Sequence, residues 1–142
     1  MDADDLTYPV LGVPSGGGLH IAATPVYLTT NTARGLKHGY YDNMRIVDSR
    51  SRWFRVRSAR KAHGVGRFGG YNIFFNQLIR VALEIEDEHR EANVDEVRAI
   101  VLKDFETWDG WQSRGDFDVL SRRVTTAQTV PELLGILATM VK

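Results

Sequence analysis

Alternation of apolar and polar positions is strictest over residues 79–86, where Ile79, Val81, Leu83 and Ile85 fall on one side. Arg80, Glu84 and Glu86 fall on the other, and a period of two is that of a half-buried strand. Asn43 to Arg60 has the pattern of a hairpin. If Asp48 pairs with Arg52 across Ser49-Arg50-Ser51, then Met44, Ile46, Phe54 and Val56 share one face. The opposite face then carries Arg45, Val47, Trp53, Arg55 and Arg57. A slip of one residue would turn arginines into the core, so the hydrophobic pattern selects this register. Upstream, residues 8–13 and 19–23 are short apolar segments joined by Pro14-Ser15-Gly16-Gly17-Gly18, which predicts a further hairpin. Between the hairpins, Thr30 or Asn31 can cap a short helix running to His38, with Gly39 as the left-handed residue that ends it.

After Asn93 the period changes to that of a helix. Asn93 and Glu96 have capping-box spacing, and Val94, Val97, Ile100, Val101, Phe105 and Trp108 form an apolar stripe. Asp116 can cap a second helix whose Val119, Leu120, Val124 and Ala127 face inward. Thr129 with Glu132 makes another capping box, and Pro131 suits a first helical turn. Val130, Leu133, Leu134, Leu137 and Val141 are the expected buried side of that last helix. Strands in the first half and helices in the second predict one α+β domain over residues 1–142. Its mostly antiparallel sheet would carry the C-terminal helices on one face.

A length of 142 residues suits a single domain, and no repeat or linker divides it. Without cysteine, disulfides, thiolate catalysis and cysteine-ligated zinc are excluded. Residues 1–5 carry acids where a secretory signal would carry Lys or Arg, and no apolar run reaches the roughly 20 residues that span a bilayer. A cytoplasmic protein without membrane contact is the expectation.

The zero net charge conceals two blocks of opposite sign. Arg50 to Arg67 holds seven basic residues and no acid, whereas Glu84 to Asp118 holds twelve acids and four bases. Such blocks serve partners or pair within the fold.

Several motifs fail on context. Gly64, Gly66 and Gly69 match G-x-G-x-x-G, but the preceding strand belongs to a hairpin rather than a parallel βαβ unit, so a loop is expected. Ser15-Gly16-Gly17-Gly18 lacks the Lys-Ser/Thr and the helix start of a phosphate cradle. The histidines His20, His38, His63 and His89 stand 18, 25 and 26 residues apart, with no helical ligand spacing. No nucleophile elbow and no distinguishable carboxylate pair is present. No catalytic residue, cofactor or metal is therefore expected.

Two segments retain binding chemistry. Glu106, Trp108, Asp109 and Trp111 place aromatic rings among acids at a helix end, the composition of a protein-interface anchor. On this reading Trp108 completes the core stripe, and Trp111, lying beyond Gly110, stands partly exposed. Arg52, Trp53, Arg55 and Arg57 put a ring beside guanidinium groups, which suits nucleic acid as the alternative partner. In size, charge and lack of cysteine the chain resembles bacterial toxin-neutralising immunity proteins. That resemblance implies a protein partner, or self-association, and no enzymatic activity.

Overall fold

The computed structural model of the chain describes residues 1–65 and 77–140. Its centre is a curled, wholly antiparallel sheet in the order β2-β1-β4-β5-β6-β3, with β7 added beside β5. The strands are β1 (Val10–Val13), β2 (His20–Ala22), β3 (Thr30–Thr32), β4 (Arg45–Val47), β5 (Arg52–Gly64), β6 (Leu78–Ile85) and β7 (Arg90–Glu91). Two short helices, α1 (Pro25–Thr29) and α2 (Ala33–Lys37), flank β3, and four C-terminal helices follow the last strand: α3 (Val94–Thr107), α4 (Asp109–Gln112), α5 (Phe117–Thr126) and α6 (Val130–Met140). Helices after strands, packed on one face of an antiparallel sheet, are the α+β layout that the sequence implies.

The curl originates in β5. This 13-residue strand pairs with β4 through Trp53, Phe54 and Arg55, then with β6 from Val56 to Gly64. Register shifts between Val56 and Ser58 and between Lys61 and His63 bend it, as bulges do by tightening local twist. The inner side of the curl buries Met44, Ile46, Phe54, Val56, Ile79, Val81, Leu83 and Ile85, all eight of the residues that the alternation placed together. Ile46 faces Phe54 and Val47 faces Trp53, the register that keeps arginines out of the core. The sheet's two edges, β2 and β3, are consecutive in sequence, and α1 spans the gap between them. The buried Tyr41 hydroxyl donates to the Leu28 carbonyl of α1 at 2.8 Å, and burial pushes its pKa up to about 12.

On the outer face, Leu11, Val47 and Trp53 meet Val97, Val101 and Phe105 of α3, Leu120 and Val124 of α5, and Leu133, Leu134 and Leu137 of α6. The helical layer stops there, and β5 beyond Val56 leaves Arg57, Ser58 and Arg60 exposed.

Local expectations were corrected in five places. The short helix is capped by Thr32, the last residue of β3, whose hydroxyl accepts from the Gly35 amide, and not by Thr30 or Asn31 earlier in that strand. Gly39 does take the left-handed conformation, at φ +80°. Asn93 caps α3 through the Asp95 amide, but Glu96 does not close the box, since its carboxylate is held by Trp53 and Arg90. Asp116 occupies the cap position of α5 without a side-chain hydrogen bond, and Val119 points to solvent because the buried side of α5 is set by Leu120 and Val124. At α6 the Glu132 carboxylate accepts from the Gln128 amide rather than from the cap residue Thr129, whose hydroxyl does accept from the Glu132 amide. The expectations for Gly66, Gly69 and Val141 fall outside the described residues.

Candidate functional site

Trp108 and Trp111 exchange the roles that periodicity assigns them. Helix α3 ends at Thr107, and Trp108 is extended at φ −118° and ψ 110°, so the 3.6-residue repeat is interrupted one residue before the stripe would be complete. The short α4 then restarts the chain with a new phase. Trp111 turns into the core at 5% exposure, where its Nε1–H donates to the buried Asp104 carboxylate at 2.6 Å and its ring meets Phe105. Trp108 is left 58% exposed. Its indole lies back over Gly110, where a Cβ would come within 2.7 Å of the ring, and stacks edge-on against Trp111 at 5.7 Å. Glycine at 110 is thus what lets this ring lie flat.

Beside Trp108 runs a groove of about 260 Å³, walled by Ile21 of the edge strand β2, by Leu19 just before it, and by Trp111 and Arg114. Arg114 is held by Asp116 at 3.2 Å. Glu106 and Asp109 are exposed nearby in the chain, and neither forms an ion pair with any described residue. An exposed indole and an apolar channel therefore meet at one end of the helical layer, with the carboxylates of Glu106 and Asp109 two residues before and one after that indole in the chain. The expected exposure of the two tryptophans is reversed: Trp108, not Trp111, is the surface ring of this segment.

The basic hairpin is dispersed by the fold. Arg52 is tied down by Asp48, a fully buried carboxylate that it meets at 2.6 Å. Asp48 also accepts from the amides of Thr7, Arg50 and Arg52, which knits the β4–β5 turn to the N-terminal segment. Trp53 is 4% exposed and donates its indole N–H to Glu96, so its ring is not offered for base stacking. Arg57 pairs with Glu84 at 3.2 Å, both side chains well exposed. Arg55 is exposed and forms no ion pair with a described residue.

Around Trp53 the fold assembles a second cleft, of about 290 Å³, that sequence reasoning missed. Arg45 and Arg90 lie over the Trp53 ring at 5.2 and 5.6 Å, within the reach of cation–π attraction. The hydrogen bond from Arg90, chiefly, holds the Glu96 carboxyl below the usual carboxylate range, with Trp53 adding to it. Only the pairing of β7 with β5 brings Arg90 here, and a two-residue strand leaves no periodicity to detect.

His20 and Tyr40 form a third polar cluster. The Tyr27 carbonyl can only accept, so His20 Nε2 carries the proton and Nδ1 accepts from the Tyr40 hydroxyl, both at 2.9 Å. Burial lowers the His20 pKa, with the hydrogen bond to Tyr27 acting in the opposite direction. Both nitrogens are thereby occupied, which suits a structural imidazole. Among the described residues no group of three or more His, Asp or Glu is placed to hold a metal ion, and no helix is long and apolar enough to cross a membrane. In comparisons with known proteins, no family model, no curated sequence and no solved structure matches this chain.

Proposed function

We propose that this protein is a binding module that acts by contact rather than catalysis, with Trp108 as its anchor. The observation that carries the reading is the 58% exposure of Trp108 beside the channel of Leu19, Ile21 and Trp111. Aromatic anchors supply large contact area at little entropic cost, and apolar grooves with a charged rim are the usual centre of an interface. The charges next to Trp108 in the chain argue for one kind of occupant. Glu106 and Asp109, on either side of Trp108 in the chain, form no ion pair with any described residue, so the partner is a protein segment that inserts an apolar side chain flanked by Lys or Arg. The likeness in size and charge to toxin-neutralising immunity proteins agrees with a module of this kind.

A randomised peptide library selected on the wild-type protein tests the proposal. Enriched peptides are expected to share an apolar residue between basic ones and to bind Trp108→Ala about thirtyfold more weakly. Enriched peptides that bind Trp108→Ala as tightly as wild type, or that are acidic, would overturn it.

A nucleic-acid partner is favoured by less, because Trp53 is buried and both Arg52 and Arg57 already have carboxylate partners.

A further inference from the structure

The cleft beside Trp53 is distinct from the Trp108 groove and is lined by charges of both signs, of which Arg90 alone has an ion-pair partner among the described residues. The strand pairing shows why two of its cations are crowded. Asp48 and Val56 donate to the carbonyls of Arg52 and Met44, which places hydrogen-bonded pairs at Asp48/Arg52, Ile46/Phe54 and Met44/Val56. Arg45 and Arg55 are consequently a non-hydrogen-bonded pair, the class in which Cα atoms approach to about 4.5 Å and side chains stand closest. Like charges directly opposite in this arrangement destabilise a sheet. Neither arginine has an ion-pair partner among the described residues.

Two carboxylates at the cleft form no ion pair with a described residue. Glu86 follows β6, with its amide donating to the Arg55 carbonyl at 2.9 Å, and Glu88 also lines the cleft. Neither pairs with Arg45 or Arg55. Glu96 is already committed to Trp53 and Arg90, and Glu84 to Arg57. The cleft is therefore lined by two arginines and two glutamates without an ion-pair partner among the described residues, Arg45 meeting only the Trp53 ring, and by the rings of Phe54 and His89, 5.3 Å apart. A simple anion would satisfy the arginines and be repelled by the glutamates; a simple cation would meet the reverse.

We infer that this cleft binds a small zwitterion, a molecule of the amino-acid class bearing an ammonium and a carboxylate. The carboxylate bridges Arg45 and Arg55, the ammonium faces Glu86 and Glu88, and the apolar part rests against the aromatic wall. A volume of about 290 Å³ accommodates a molecule of that size.

The test is an NMR titration of the full chain at constant ionic strength with L-leucine, and separately with acetate and with methylammonium. L-leucine is expected to give saturable shifts at the Trp53 indole and the Arg55 amide, with each half-ligand binding at least about tenfold more weakly. Arg55→Gln and Glu88→Gln should each weaken L-leucine binding about tenfold. Both positions are exposed, and an unchanged thermal midpoint verifies folding; should either variant unfold, Arg45→Gln replaces it. Acetate binding as tightly as L-leucine would show a plain anion site. No saturable shift with L-leucine, or shifts that persist in both variants, would remove the site altogether.

Discussion

Replacing Trp111 with alanine deletes an indole that is 5% exposed and packed on Phe105, and it strips the buried Asp104 carboxylate of its indole donor. Removing a buried tryptophan costs about 3–5 kcal/mol, and leaving a buried acceptor unpaired adds roughly 1–3 kcal/mol. Because the two contributions share one site and partly relax together, a loss of about 4–6 kcal/mol is expected. For a chain of this length that corresponds to a fall in thermal midpoint on the order of 12–20 °C. Trp111→Phe keeps the ring contact and loses the hydrogen bond, so it should cost about 2 kcal/mol. Trp108→Ala removes only an exposed ring and one edge-on stacking contact, a loss of about 1 kcal/mol or less. Circular dichroism melts of the three variants decide the matter. If Trp108→Ala proves as costly as Trp111→Ala, or if Trp111→Ala melts within about 2 °C of wild type, the assignment of core and surface rings is refuted.

Asp48→Ala should cost about 3–5 kcal/mol in urea unfolding, since it breaks the pair with Arg52 and frees three backbone amides. Leu83→Ala, at a position 5% exposed on the inner face, should cost about 2–5 kcal/mol in the same assay, whereas a cost under about 0.5 kcal/mol would contradict the curl. His20 has a folded pKa below its ordinary 6.5, so the unfolded chain takes up this proton first as pH falls. The stability tied to neutral His20 is complete above about 6.5 and declines below it until the folded pKa is passed; the midpoint of His20→Gln should therefore fall less between pH 7 and pH 5 than that of wild type.

What the sequence made legible was whatever a strict period protects. The hairpin register was readable because a single slip would bury Arg45, Arg55 and Arg57. The helix–sheet order was readable because the period changes once, at Asn93. Elements with few residues escaped. Helix α1 has only five, although Thr24 before Pro25 was a usable start signal, and the Thr24 hydroxyl does accept from the Tyr27 amide. The Thr30-Asn31-Thr32 strand is polar on both sides, so alternation is silent there. The extension of β5 past Arg60 was hidden by its bulges, which break the two-residue repeat at the positions where the sheet bends.

The candidate site was half legible for a related reason. Phe105 and Trp108 are three residues apart and satisfy a helical stripe only if the helix continues; it stops at Thr107, and the tryptophans trade places. The basic segment read as one surface because strand alternation groups Trp53 with the arginines. Tertiary packing then covered Trp53 with α3 and supplied a carboxylate to Arg57, while Asp48 across the turn took Arg52. Arg90, Glu86 and Glu88 lie more than thirty residues from Trp53 in the chain, a separation across which spacing carries no information.

Hydrogen exchange of the three indole N–H groups, followed by NMR before and during titration with a selected peptide, tests the central claim most directly. Trp53 donates to Glu96 and Trp111 to Asp104, while Trp108 stands in solvent. Two indole protons should therefore exchange slowly and one fast, and the fast one, assigned to Trp108 by its loss in Trp108→Ala, should shift and become protected as the peptide binds. A fast-exchanging Trp111 with a protected Trp108, or a peptide that leaves the Trp108 signal unmoved while perturbing another face, would contradict the account.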